Sequence, residues 1–378
     1  MVTRPTSVAA LAAIVRAAND EGRKIRIGRT PSSSPEEMAL SLEDLDSAVD
    51  HRAGDLIATV PAGATLAAVN DILARGGQWL PLDPLGGAQA TIGAIVATNA
   101  SGPRRHRFGS PRDLIIGIEM VLADGRIAKA GGKVVKNVAG YDLPRVMCGS
   151  RGCLAILTSA TFKLSPLPPA SRTVIVEARD LQSLGELTRA IAAQPLTPSA
   201  VEVDSPPHRL LVRFESTKDA AAAQATAVAD LCVRLGAGIT IADGKDETAA
   251  WIAHDQRVSQ TPGTLLKISV LPTEVSPCLE ALVHSASAHR IEWCVAGRAA
   301  LGVLHVRLSS PAGDHAEVVS DMRRAVGTRG SLVVVEDDGS QLQDPWGPMG
   351  DAWPLMRAVK ARFDPRNTLN PGSGPGGL

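Results

Sequence analysis

The chain has 378 residues, with 39 basic and 39 acidic side chains that cancel to a formal net charge of zero; a length beyond the growth of one hydrophobic core predicts about two domains. The charge balance excludes a general electrostatic attraction to nucleic acid or to an acidic membrane surface. No leader pattern and no apolar run of roughly 20 residues is present, and Cys148, Cys153, Cys232, Cys278 and Cys294 are odd in number with no CxxC pair, so a soluble, cytoplasmic protein is expected, without an integral membrane segment, a disulfide framework or a metal site.

Residues 6–22 place Val8, Leu11, Ile14, Val15 and Ala18 at helical spacing behind a Thr or Ser cap, with Gly22 closing the pattern. Lys24 to Gly28 and Leu56 to Val60 read as short strands, and a second helix is expected from Thr65 to Arg75. Residues 90–102, ATIGAIVATNASG, mix small with β-branched side chains; 113–122 reads as a strand closed by the turn Asp124-Gly125, and 134–137 and 154–164 continue the β content. The proline-rich stretch SPLPPAS, 165–171, marks the expected domain boundary. Beyond it, strands near 173–178, 200–203, 209–214, 265–271 and 302–308, with helices at 181–193 and 219–235, predict an α+β half with antiparallel pairing. No internal repeat of stable period is visible. The tail carries an amphipathic helix at 353–363, then FDPRNTLNPG.

In GYDLPRVMCGSRGCLAILT, 140–158, Gly149 and Gly152 stand three residues apart just before a strand. Such glycines let the backbone turn sharply and approach something that a Cβ would exclude. Together with ATIGAIVATNASGPRR at 90–105, SPRDLIIGIEMVLADG at 110–125, KNVAGYDLPR at 136–145 and FDPRNTLNPG at 363–372, this stretch resembles the vanillyl-alcohol oxidase/p-cresol methylhydroxylase class of FAD-binding flavoproteins. The KNVAGYDLPR element is most similar to the FAD-binding subunit of bacterial glycolate oxidase. The resemblance implies an α+β fold: a two-subdomain FAD-binding domain over 1–168, an α+β cap domain over 169–345, and a C-terminal segment, 346–378, that returns to the FAD domain. It puts Thr91, Ile92, Gly93 and Ala94 beside the pyrophosphate and ribityl chain, with the glycines admitting backbone N–H groups to the phosphates. Thr98, Asn99, Ser101 and Gly102 then lie near the flavin, Gly149, Ser150, Gly152 and Ile156 along the adenine and flavin path, and Asn370 near the isoalloxazine.

The sequence departs from the family at the first phosphate loop, where IRIGRTPSSSPEE, 25–37, keeps only Gly28 and introduces Pro31; whether residues 28–34 still permit tight binding is left open. Ala94 and Ala155 stand where the family commonly has glycine. No His or Cys occurs in the first loop, so noncovalent FAD is expected, and His106 among Arg104, Arg105 and Arg107 reads as part of a solvated or interface charge cluster. Catalytic relatives carry a paired-histidine signature, GHxGDGNxH, in the cap. Here AGRAALGVLHVRL, 296–308, offers Arg298 and the single His305 as weak catalytic candidates, with Arg307 as a second cation for a carboxylate. The resemblance thus implies an FAD-dependent oxidoreductase, a subunit that works with a catalytic flavoprotein subunit and an iron-sulfur subunit of a glycolate-oxidase-like complex, with a small 2-hydroxy acid as possible substrate. The alternatives are a self-contained 2-hydroxy-acid dehydrogenase and a scaffold subunit that has lost FAD.

Overall fold

The computed structural model describes all residues except 1, 29–35, 46–47, 134–139, 310–314, 340–341 and 343. The altered first phosphate loop and the strand expected at 134–137 therefore lie outside the described residues. Two compact units emerge: residues 1–101, 108–167 and 349–378 form the first, and 102–107 with 168–348 the second. No helix among the described residues is long and apolar enough to cross a membrane.

The first unit begins with helix Val8–Asp20, whose Ser7 hydroxyl accepts the Ala10 N–H at 3.1 Å. Leu11, Val15 and Ala18 form its buried stripe. The helix packs near a three-stranded parallel sheet ordered Val2–Thr3, Glu37–Leu40, Lys24–Ile27. A five-stranded antiparallel sheet runs in the order Asp50–Arg52, Ile57–Pro61, Ala155–Lys163, Ile115–Leu122, Ile127–Gly131. Its central strand, Ala155–Lys163, is buried on both faces, which accounts for its nearly continuous run of small and apolar residues. The strand expected from 113 starts at Ile115, because Pro111 and a Ser110–Asp113 capping box turn Pro111–Leu114 into one helical turn.

Residues 92–98 are helical despite four β-branched side chains. Thr91 Oγ1 caps the helix at Ala94, and Ile92, Ile95 and Val96, spaced i, i+3, i+4, all fall into the core. Burying each side chain contributes roughly 1.5–3 kcal/mol, several times the propensity cost of a β-branched residue in a helix. Tertiary burial wins, and the small residues Gly93, Ala94 and Ala97 take the opposite face.

The C-terminal segment is part of this unit. After helix Trp353–Phe363, the Ile25 N–H donates to the Thr368 carbonyl at 2.7 Å and the Asn370 N–H to the Ile25 carbonyl at 2.8 Å, extending the parallel sheet. Lys360 is only 6 % exposed: its Nζ donates to the Asp364 carboxylate at 2.7 Å and to the carbonyls of Cys153 and Leu369. Asp364 also accepts the N–H groups of Thr368 and Leu369.

The second unit is one eight-stranded antiparallel sheet built from two copies of the same βαββαβ plan. The first copy runs through strand Ala170–Glu177, helix Leu181–Ala192, strands Ala200–Ser205 and Arg209–Ser216, helix Lys218–Arg234 and strand Gly238–Ala242. The second runs through Thr264–Ser269, Val275–His289, Trp293–Arg298, Val303–Leu308, His315–Val326 and Ser331–Glu336. They join where Ala200–Ser205 pairs with Trp293–Arg298. The four helices of the two copies cover one face in a single aliphatic core. The other face, toward helix Gly244–Ser259, carries polar side chains in alternate positions: Glu202 and Asp204 are 1 % and 0 % exposed. His254 lies between them, Nδ1 at 2.6 Å from Asp204 and Nε2 at 3.3 Å from Glu202.

Two outcomes follow from these buried charges. Lys360→Ala leaves the Asp364 carboxylate buried without its cation, so unfolding in urea is expected to show a loss of about 3–5 kcal/mol, with earlier proteolysis near residue 349. Burial alone lowers the His254 pKa, but its bonds to Asp204 and Glu202 outweigh that and raise it to about 9. A folded value above the unfolded one means that the stabilisation is full below about pH 6.5 and is lost as pH rises through about 9. The stability difference between the natural chain and His254→Gln should therefore shrink over that window, by on the order of 2–3 kcal/mol; a difference independent of pH would contradict the ionised triad.

Candidate functional site

A cavity of about 480 Å³ opens in the first unit, within the range of small-molecule and cofactor sites. Ile27 and Gly28 line it at the end of one strand, Ser41 to Glu43 after the next, and Ala62 and Gly63 at the end of a third. The small face of helix Ile92–Thr98, the loop before strand Ala155–Lys163, and Asn370 with Ser373 complete the wall.

Of the expected cofactor residues, Thr91, Gly93, Ala94, Thr98, Gly152, Ile156 and Asn370 line this cavity. Ile92 does not: it is fully buried in the core. Asn99 ends the helix in a left-handed conformation and its Oδ1 accepts the Arg112 N–H. Gly102 belongs to the second unit, where its carbonyl accepts from Arg298 Nε at 2.9 Å. Ser101, Gly149 and Ser150 lie outside the lining set, although Ser150 Oγ is buried with no partner among the described residues. Sequence reasoning missed Ser41, Ala62, Ala97, Arg151 and Ser373. Arg151, inside the GSRG loop, was the legible one; the others are small residues without a distinguishing pattern.

The expected nest of free backbone donors needs correction. The N–H groups of Gly28, Ile92, Gly93, Gly149, Ser150 and Arg151 already donate to the carbonyls of Leu40, Ala64, Ala62, Val96, Met147 and Ala97. The Ala94 N–H donates to Thr91 Oγ1. Nor do Gly93 and Gly152 keep Cβ space open for a ligand. A Cβ on Gly152 would stand 2.8 Å from Asn370 Nδ2 and 2.9 Å from Ile27 Cδ1, at φ 72°, and one on Gly93 would stand 3.1 Å from Ala62. What these two approach is the protein itself, whereas a Cβ on the lining residue Gly28 would meet nothing within 4 Å.

The chemistry of the cleft still fits FAD. Its wall is small and apolar where a planar ring and ribityl chain need contact, and it includes Thr98 and Ser373, whose hydroxyls can serve a ribityl chain. The orphan Ser150 hydroxyl adjoins the lining residue Arg151, and a bound polar group would satisfy it. Thr91, Thr98, Ser41, Ser373 and Arg151 are the side chains that would hold the cofactor. The described lining residues include neither His nor Cys, the side chains that carry covalent flavins in relatives.

The second unit's candidates serve structure more visibly than chemistry. Arg298 is buried and anchors Gly102. Arg307 donates to the carbonyls of Val258 and Gly263 and pairs with Glu336 at 2.7 Å. Burial, with the charges of Arg298, Lys267 and His254 nearby, holds the His305 pKa well below its ordinary value, so this imidazole is neutral. The basic run at 104–107 is not a solvated cluster either. Arg104 forms a bidentate pair with the buried Glu215, Arg107 donates to the Glu215 carbonyl, and burial lowers the pKa of His106.

Comparison with known proteins agrees with this geometry. A family model for an FAD binding domain matches residues 1–131, and one for the C-terminal domain of FAD linked oxidases matches 204–333 and 344–373. The glycolate oxidase subunit GlcD of Bacillus subtilis is 28% identical over 84% of this chain and 75% of its own length. A D-lactate dehydrogenase of Archaeoglobus fulgidus is 28% identical over 98% and 90%. The glycolate oxidase subunit GlcE of Escherichia coli is 40% identical, over 37% of this chain and 40% of its own length. Among solved structures, an alkyldihydroxyacetonephosphate synthase superposes with a TM-score of 0.74 at 15% identity, covering 98% of this chain and 76% of that one. A chitooligosaccharide oxidase superposes at 0.71 and 13%, covering 97% and 89%. With both family models aligned along one chain in this order, and a cleft in the first unit suited to a flavin nucleotide, the protein belongs to the FAD-linked oxidases.

Proposed function

We propose that this chain is the FAD-binding subunit of a glycolate-oxidase-like complex, acting on small 2-hydroxy acids only together with a second flavoprotein subunit and an iron-sulfur subunit. FAD supplies the two-electron acceptor of such an oxidation. The observation that carries the reading is the use made of Arg298. Where catalytic relatives carry the first histidine of their paired signature, this chain has a guanidinium bonded to the Gly102 carbonyl, and its surviving histidine, His305, is half-buried with its pKa held well below the ordinary value. The first unit keeps a flavin cleft, while in the second the groups available for a substrate are engaged in internal structure. The similarity to GlcE, concentrated in 37% of the chain, points the same way.

A self-contained 2-hydroxy-acid dehydrogenase is the second reading, favoured by similarity along 98% of the chain to a D-lactate dehydrogenase and to a D-2-hydroxyglutarate dehydrogenase of Xanthomonas citri. In that reading Arg298 positions the substrate carboxylate and His305, as the neutral imidazole, takes the hydroxyl proton.

Purified alone and supplied with FAD, the chain is expected to show flavin absorption but no reduction of a redox dye by glycolate, D-lactate or 2-hydroxyglutarate. His305→Ala should leave FAD content unchanged. Robust dye reduction by the isolated chain, lost in His305→Ala, establishes the second reading instead, and failure to bind millimolar FAD leaves only a scaffold role. The bound FAD should be noncovalent, released by acid precipitation of the protein, and partly lost on dialysis because the first loop has exchanged its glycine cluster for Arg29 to Ser32.

A further inference from the structure

The outward N–H and C=O groups of an edge strand are a template for another strand, and proteins protect such edges by covering, shortening or charging them. In the three-stranded sheet, strand Lys24–Ile27 is covered by the tail, whose Thr368 carbonyl accepts the Ile25 N–H, and Val2–Thr3 is two residues long. The five-stranded sheet ends in Asp50–Arg52, which carries Asp50, His51 and Arg52, and in Ile127–Gly131, where Lys129 pairs with Glu119 at 2.6 Å. At one edge of the eight-stranded sheet, the Val334 N–H of strand Ser331–Glu336 donates to the Pro345 carbonyl at 2.7 Å. The opposite edge, strand Gly238–Ala242 or GITIA, shows none of these devices among the described residues. It carries neither charge nor proline, Ile241 is 47 % exposed, and Val233 and Leu235 just before it are 58 % and 45 % exposed. In this unit the stretches outside the described residues adjoin strands Val303–Leu308 and Ser331–Glu336, five and seven positions along the sheet from this edge, or about 24 Å and more at the usual strand spacing.

The strand's own sequence says what fits there. Set antiparallel against itself about a two-fold axis through Thr240, GITIA places Ile239 of one copy opposite Ile241 of the other and Thr240 opposite Thr240, pairs of β-branched side chains that favour cross-strand contact. Ile239 packs against the aliphatic core on the helix-covered face, and Ile241, two residues on, shares that face, so the pairing carries the apolar layer of one copy into that of the next. A charge near a two-fold axis meets its own sign, and the run from Leu235 to Ala242 is uncharged throughout. We propose that strand Gly238–Ala242 is a self-association surface, on which a second copy of this chain pairs antiparallel and continues the eight-stranded sheet across a two-fold axis. Five paired residues bury less than the roughly 1,200 Å² of a standard interface, so the dimer is weak, with a dissociation constant on the order of 10–100 μM. The inference concerns the second unit alone and holds with or without bound cofactor.

The test is sedimentation of the full chain at concentrations from about 1 to 500 μM, bracketing the expected dissociation constant, with variants at Thr240, an exposed residue that faces its own copy at the axis. The natural chain should pass from monomer to dimer over that range. Thr240→Lys and Thr240→Glu each put two like charges directly opposite one another, so each alone should dimerise about fivefold or more weakly, the loss being smaller at high salt. An equimolar mixture of the two variants sets opposite charges across the axis and should form a heterodimer at least as readily as the natural chain dimerises. Circular dichroism of both variants should match the natural chain, which separates a lost contact from a lost fold. A natural chain that stays monomeric throughout overturns the proposal, including the case in which this edge pairs only with a strand of a different protein. A dimer unchanged in both variants overturns it by placing the contact elsewhere, and weakened variants that fail to pair when mixed overturn the two-fold register through Thr240.

Discussion

The side-chain amide of Asn370 holds the cleft together. Its Oδ1 accepts the Ile27 N–H at 2.6 Å, its Nδ2 donates to the Arg151 carbonyl at 2.7 Å, and its own N–H reaches the Ile25 carbonyl. Three stretches separated by more than a hundred residues thus meet at one planar group. Asn370 adopts φ 43°, a left-handed value that asparagine tolerates better than most L-residues. The Lys360 ammonium, buried against Asp364, fixes the same segment from the other side through the carbonyls of Cys153 and Leu369. Because both ends of the amide are engaged by backbone, Asn370 shapes the cleft and has little capacity left to read a ligand.

That arrangement determines where recognition can come from. A phosphate nest works by aiming unpaired N–H groups at an anion. Here the N–H groups of Gly93, Gly149 and Arg151 instead donate to the carbonyls of Ala62, Val96 and Ala97. Contacts within the wall and free backbone donors compete for the same N–H groups. The polar side chains that this backbone displays along the cleft include Ser41, Thr98, Arg151 and Ser373.

Much of this was legible in the residues, and what was hidden shares a cause. Helix Val8–Asp20 announced itself through Ser7 and a buried stripe, and helix Leu66–Ala74 through Thr65, because a cap and a 3.6-residue period are local signals. Seven of the cleft residues were likewise visible as motif positions, since small residues at fixed offsets mark a close approach. The partner in that approach was not visible: Gly152 is small because Asn370 and Ile27 press on it, contacts made across the whole chain length. Helix Ile92–Thr98 looked ambiguous because its β-branched residues favour neither state until the core they enter is known. The duplication of the second unit left no sequence period, since the two copies share only alternation and core volume, which many sequences satisfy.

The polar face of that duplicated sheet shows how charge can be buried without a ligand. Glu202, Asp204, His254, Arg209 and Arg257 neutralise one another across adjoining strands and helix Gly244–Ser259. Each would be costly alone; together they exchange solvation for fixed partners, which specifies one register for the join between the two copies more sharply than apolar packing does. Arg298 and Glu202, directly opposed across that join, belong to this arrangement. A guanidinium in such a setting cannot be removed without leaving neighbours uncompensated, so the buried Arg298 is accounted for by the fold of the second unit.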